Sequence, residues 1–83
     1  MDIPVKLFGG LRHFLPAGSG FNSCTISLDE GANLNALLDK VPVPRDQAYM
    51  VLLNDTKISE EQYDSTGIQD GDDVVLLPPI KGG

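Results

Sequence analysis

At 83 residues the chain can build one small hydrophobic core and little more. Six basic against twelve acidic residues give a formal net charge of −6, which excludes the basic stripe that nucleic acid or an anionic membrane surface demands. A single cysteine and a single histidine exclude an internal disulfide and leave too little for a metal cage or a nucleophile–base pair. Met1-Asp2-Ile3-Pro4 shows no basic segment ahead of an apolar stretch, and no run approaches the roughly 20 apolar residues of a membrane span. The cytoplasm is therefore the expected compartment. An acidic small domain suits a protein partner with a basic docking face, although the same charge also keeps a small domain soluble.

Ile3, Val5 and Leu7 alternate with polar positions, which predicts a half-buried first strand. Phe8 then points the other way, Gly9-Gly10 follows, and Leu11 to Leu15 run into the turn cluster Pro16-Ala17-Gly18-Ser19-Gly20. Cys24, Ile26 and Leu28 against Ser23, Thr25 and Ser27 predict a second strand, pairing with the first as a hairpin. Asn33 is a good helix N-cap, and Leu34, Leu37, Leu38 and Val41 make one apolar stripe on a short helix that Pro42 and Pro44 stop. Tyr49 to Leu53 predicts a third strand, Asn54-Asp55 a turn, and Lys57-Ile58 a short strand after it. Glu60 to Tyr63 reads as a helical turn and Asp70-Gly71-Asp72 as a tight turn. The last strand, Val74-Val75-Leu76-Leu77, is apolar throughout, as befits a strand covered on one face and flanked or docked on the other. The order is β-β-α-β-(β)-β: an α+β fold with a mixed sheet of four to five strands on one main helix.

Residues 1–83 are expected to form one domain, with 78–83 as an extended and flexible tail. Pro78 and Pro79 lack amide donors and end strand pairing; Ile80, Lys81, Gly82 and Gly83 follow. Two glycines without Cβ atoms make a thin thread for a narrow active site. A terminal carboxylate, ionised above its usual pKa of about 3.5, can attack the α-phosphorus of ATP. The acyl-adenylate then offers an unhindered carbonyl to a nucleophile. With 9 glycines in 83 residues, composition alone produces that ending in roughly 1% of chains, so the pair needs support from elsewhere.

Two stretches supply it. Val5-Lys6-Leu7-Phe8-Gly9-Gly10-Leu11-Arg12, and Asp70 to Gly83 with its Gly-Asp-Asp-Val, Pro-Pro and Gly-Gly, resemble the sulfur-carrier family of β-grasp proteins. Within it they are similar to the small subunit of molybdopterin synthase. Asn33 with Leu34 and Leu37 resembles the family's helix start, and Leu53-Asn54 its strand-three asparagine. Asp73 stands where the family commonly has glutamate, and Pro42 to Gln47 and Glu60 to Thr66 are not diagnostic. Thiamine-pathway carriers share Gly-Gly but usually lack the paired prolines, so Pro78-Pro79 points toward the molybdopterin side.

The resemblance implies a ubiquitin-like β-grasp fold and a chain with no catalytic site and no bound cofactor or metal of its own. An E1-like adenylyltransferase, using ATP and magnesium, would adenylate Gly83. A sulfur donor enzyme carrying a persulfide would convert it to a thiocarboxylate. The loaded tail would enter the molybdopterin synthase large subunit and deliver sulfur for the molybdenum or tungsten cofactor. The same tail also fits a ubiquitin-like modifier conjugated through Gly83, a carrier serving thiamine, cysteine or tRNA thiolation, and a binding module with an idle tail.

Phe8 and Leu77 fall out of phase with the core-facing sets. Either they form a docking patch, which Ile58 joins by the same resemblance, or they fill a cluster under the loop of residues 14 to 22. Arg12 suits partner carboxylates, or an acid of its own chain. Lys81 either steers the tail or is an ordinary surface lysine. Cys24 shares the inward face of strand two and reads as core, and His13 takes no role.

Overall fold

The computed structural model describes residues 1–79 of the chain. Strand β1 (Asp2–Leu7) realises the expected alternation: Ile3, Val5 and Leu7 are fully buried while Asp2, Pro4 and Lys6 are exposed. Strand β2 (Ser23–Ser27) pairs with it antiparallel, placing Ile26 opposite Ile3 and Cys24 opposite Val5. Between them Gly9–Phe14 forms a 3-10 helix, a turn of structure not foreseen from the sequence. Leu11, 2% exposed, is its anchor in the core.

Helix α1 (Leu34–Lys40) begins where expected, with the Asn33 side-chain oxygen accepting from the Ala36 amide at 2.9 Å. Seven residues cannot hold a helix in water alone, so its stability comes from packing. Leu34, Leu37 and Leu38 are buried, each contributing about 2–3 kcal/mol by its removal from water. The helix stops at Val41, ahead of Pro42.

Strands β3 (Met50–Leu53) and β4 (Thr56–Ile58) are joined by Asn54-Asp55 alone, with φ of 51° and 70°. Positive φ at both central residues is the two-residue hairpin geometry that matches strand twist, and Asn and Asp tolerate it. A second 3-10 helix, Glu60–Ser65, starts from a capping box between Ser59 and Gln62 and buries Tyr63.

Strand β5 (Val74–Leu77) enters the middle of the sheet, parallel to β1 and antiparallel to β3. The resulting order, β2-β1-β5-β3-β4, is a mixed five-stranded sheet with α1 on one face, the ubiquitin-like β-grasp arrangement. The core lies on that face, where Ile3, Val5, Leu7, Val51, Val74 and Leu76 meet the helix leucines. Pairing stops at Leu77, as two following prolines dictate, and both Pro78 and Pro79 are exposed. The remaining tail positions expected to matter (Ile80, Lys81, Gly82 and Gly83) lie outside the described residues, as does most of the expected extended segment.

Candidate functional site

The pleat sends alternate residues of β5 to opposite faces. Val74 and Leu76 enter the core, so Val75 and Leu77 face away from the helix. Strand register then builds a row across this outer face: Ser23, Lys6, Val75, Leu52 and Lys57 stand side by side on successive strands. Val75 is only 9% exposed yet takes no part in the core cluster, because its cover comes from neighbours on the outer face.

One step toward the tail, Leu77 stands opposite Met50, and both are half-buried. Phe8 lies one residue past the Leu7–Leu76 pair, beside that row, and is 37% exposed. Its amide donates to the Leu76 carbonyl at 3.1 Å, which ties the ends of β1 and β5 together. Part of the Phe8 ring faces solvent. The loop of residues 14 to 22 contributes Phe21, 79% exposed and two residues before β2 begins at Ser23. Arg12 stacks over the Phe21 ring at 3.8 Å. This contact, worth about 0.5–1 kcal/mol at an exposed site, takes the place of the intrachain carboxylate considered for Arg12. Among the described residues the one ion pair is Arg45 with Asp39.

Ile58 does not join this face. It pairs directly with Val51, a core residue, and paired residues of antiparallel strands share a face. It packs against the core instead and, with Tyr49, Tyr63 and Pro79, lines a cleft of about 520 Å³ beside the end of the sheet. Phe8 and Leu77 are thus brought together, while Ile58 is separated from them by the thickness of the sheet. Sequence reading passed over Met50, Leu52 and Phe21. Met50 and Leu52 become legible once β3 is phased against β5, whereas Phe21, outside any strand, has no signal of that kind.

Cys24 is half-buried against the core, and desolvation pushes its thiol above the ordinary value. It is therefore protonated at neutral pH and a weak nucleophile. The acidic stretch at residues 70–73 is a pair of interlocked turns. Asp72 accepts from the Gln69 amide at 2.8 Å and from the Asn54 side chain at 3.0 Å. The Asn54 side chain in turn accepts from the Asp73 amide at 2.9 Å. Asn54 thus fastens the β3–β4 turn to the turn that launches β5. Among the described residues no three His, Cys, Asp or Glu side chains gather closely enough to hold a metal ion.

The fold is shared with proteins of known structure. No curated protein sequence matches the chain. Among solved structures, SAMP1 from Haloferax volcanii is similar at 20% identity and a TM-score of 0.71, with both chains fully covered. The small archaeal modifier protein 1 from Methanosarcina acetivorans is 24% identical with a TM-score of 0.66, covering 99% of this chain and 96% of that one. A chain in the complex of subunits 1 and 2 of molybdopterin-converting factor from Helicobacter pylori 26695 is 25% identical with a TM-score of 0.59, both chains being fully covered. The model of the ThiS family matches residues 5–83, nearly the whole length, and the chain belongs to that family of β-grasp sulfur carriers.

Proposed function

We propose that this chain is a sulfur carrier for molybdopterin synthesis, loaded at Gly83 and presented to its partners through the outer sheet face. The observation that carries the reading is contiguity. The apolar residues Phe8, Leu77 and Met50 lie at the end of the sheet from which the tail departs at Pro78. A partner covering that face is placed to receive the tail.

In the first step the Gly83 carboxylate attacks the α-phosphorus of ATP on an E1-like adenylyltransferase and pyrophosphate leaves. Magnesium and ATP belong to that partner. The terminal sulfur of a donor enzyme's persulfide then attacks the acyl carbon and AMP leaves. A thiol then attacks the donor's sulfur of the resulting acyl disulfide, forming a new disulfide with the donor and releasing the thiocarboxylate. The chain's own contribution is to hold a substrate group at a fixed place on a docked rigid body. The molybdopterin assignment draws on Pro78-Pro79 and on the likeness to a chain in the molybdopterin-converting factor complex, which supports a larger synthase subunit as the partner that receives the loaded tail.

Deleting Gly83 tests the proposal. With the activating enzyme of the same host, the truncated chain is expected to form no acyl-adenylate and to support no cofactor synthesis. Retention of both activities would overturn it. The similar structures also include a small archaeal modifier protein. Ladders of conjugates that depend on Gly83, in a host whose cofactor synthesis does not need the chain, would favour that reading instead.

A further inference from the structure

Two adjacent glycines close β1, and their surroundings differ. Gly9 has φ of +58°, and a Cβ placed on it would stand 2.7 Å from Pro78 Cγ and 3.4 Å from Pro78 Cδ. A Cβ on Gly10 would meet nothing within 4 Å. Gly9 is also fixed from both sides. The Phe8 amide is bound to the Leu76 carbonyl at 3.1 Å, and the amide of buried Leu11 donates to the Phe8 carbonyl at 3.2 Å.

Pro78 is the first residue past β5. With no amide donor, it can join the ladder only through its carbonyl, and its exposed ring rests close against the β1 end of the sheet. Gly9 supplies that contact on the β1 side. Pro79 lines the cleft with Tyr49 and Tyr63, beside β3 and β4. The two prolines thus lean on different parts of the fold.

We infer that Gly9 is a positioning residue for the carrier tail: its bare Cα is the seat of the Pro78 ring, and the seat fixes the point at which the chain leaves the sheet toward residues 80–83. The contact stands on the geometry alone, whereas its consequence for loading rests on the proposed function. Positive φ by itself would explain a glycine here without any seat. Distance separates the two explanations. Carbon atoms settle at about 3.5–4.0 Å, so a methyl group on residue 9 must push the ring aside by roughly 1 Å. A misplacement of that size at a reacting group costs up to about 100-fold in rate.

The test compares Gly9→Ala and Gly9→Asn with Gly10→Ala, each with and without Pro78→Ala. Asparagine tolerates positive φ but keeps a Cβ, so it retains the collision with less backbone strain and protects against a variant that fails to fold. The first readout needs no partner: the carbon resonances of Pro78 and the amide resonance of Ile80, with Leu37 and Val51 as core references. The second is kcat/KM for acyl-adenylate formation with the host's activating enzyme.

Both Gly9 variants are expected to move the Pro78 and Ile80 signals while the core references stay in place, and to lower kcat/KM by up to about tenfold, the residues between Pro78 and Gly83 relaying only part of the shift. Gly10→Ala should leave both readouts unchanged. In the Pro78→Ala background, where the colliding ring atoms are gone, the Gly9 variants should add no further effect. Unmoved Pro78 signals in the Gly9 variants would overturn the seat. So would effects that persist undiminished without the ring, since these would trace to backbone strain. If even the unaltered chain is not adenylated, the functional reading fails while the resonances still decide the seat.

Discussion

Replacing Phe8 by alanine probes the outer face beside the point where the tail leaves the sheet. Phe8 keeps 37% of its surface exposed in the free chain. A phenylalanine offers roughly 200 Å², so roughly 75 Å² remains for a partner to cover. At about 25 cal/mol per Å² that area is worth about 2 kcal/mol, or roughly 30-fold in Kd. Calorimetric titration against the activating enzyme should therefore show Phe8→Ala binding roughly 30-fold more weakly, with Glu61→Ala as a control on the exposed second 3-10 helix. A thermal melt of each variant confirms that the fold is intact. A folded Phe8→Ala whose affinity stays within about twofold would refute the assignment of this face to the partner.

Asn33→Ala removes the acceptor for the Ala36 amide and the donor to the Asp64 carbonyl. It should cost about 1–2 kcal/mol and lower Tm by roughly 5–10 °C, and an unchanged melt would count against the cap. Desolvation raises the phenols of Tyr63 and Tyr49, with Arg45 partly opposing it at both. The folded chain therefore holds those protons more tightly than the unfolded one. Stability should be level below the ordinary tyrosine value of about 10 and fall as pH rises past it through the folded-state values. Denaturant titrations across that range should show a shallower fall in Tyr63→Phe, and equal slopes would dismiss the linkage. Cys24 should react slowly with a thiol reagent at neutral pH and quickly in denaturant. Cys24→Ala should still be loaded with sulfur, since the thiol is not its carrier.

Much of this architecture is written locally. The phase of Ile3, Val5 and Leu7, the stripe from Leu34 to Val41 and the cap at Asn33 each follow from residues within one or two turns of chain. Ile58 shows where that legibility ends. Its own strand has three residues, too few to declare a phase, and its face is set by the two-residue turn at Asn54-Asp55 that places it opposite Val51. Phe21 sits outside any strand, and only the folded chain brings Arg12 of the first 3-10 helix over its ring. Val75 illustrates a third case. An all-apolar β5 announces that both faces are covered or docked, yet the neighbours responsible, Lys6 and Leu52, come from strands far apart in sequence. The 3-10 helix at Gly9–Phe14 depends on Leu11 finding the core, a tertiary contact that two glycines and a histidine do not advertise. The role of Gly9 is likewise invisible until Pro78, nearly the whole chain away, is folded against it.

Sulfur on the last glycine is the central claim, and intact mass tests it most directly. The chain is incubated with the host's activating enzyme, ATP, magnesium and a persulfide donor, and its mass is compared with that of the Gly83 deletion treated in the same way. The expected result is replacement of one oxygen by one sulfur in the full chain, located by fragmentation to Gly83 and absent from the deletion. An unchanged full-length mass in a mixture that consumes ATP, or sulfur found on Cys24 instead, would contradict it.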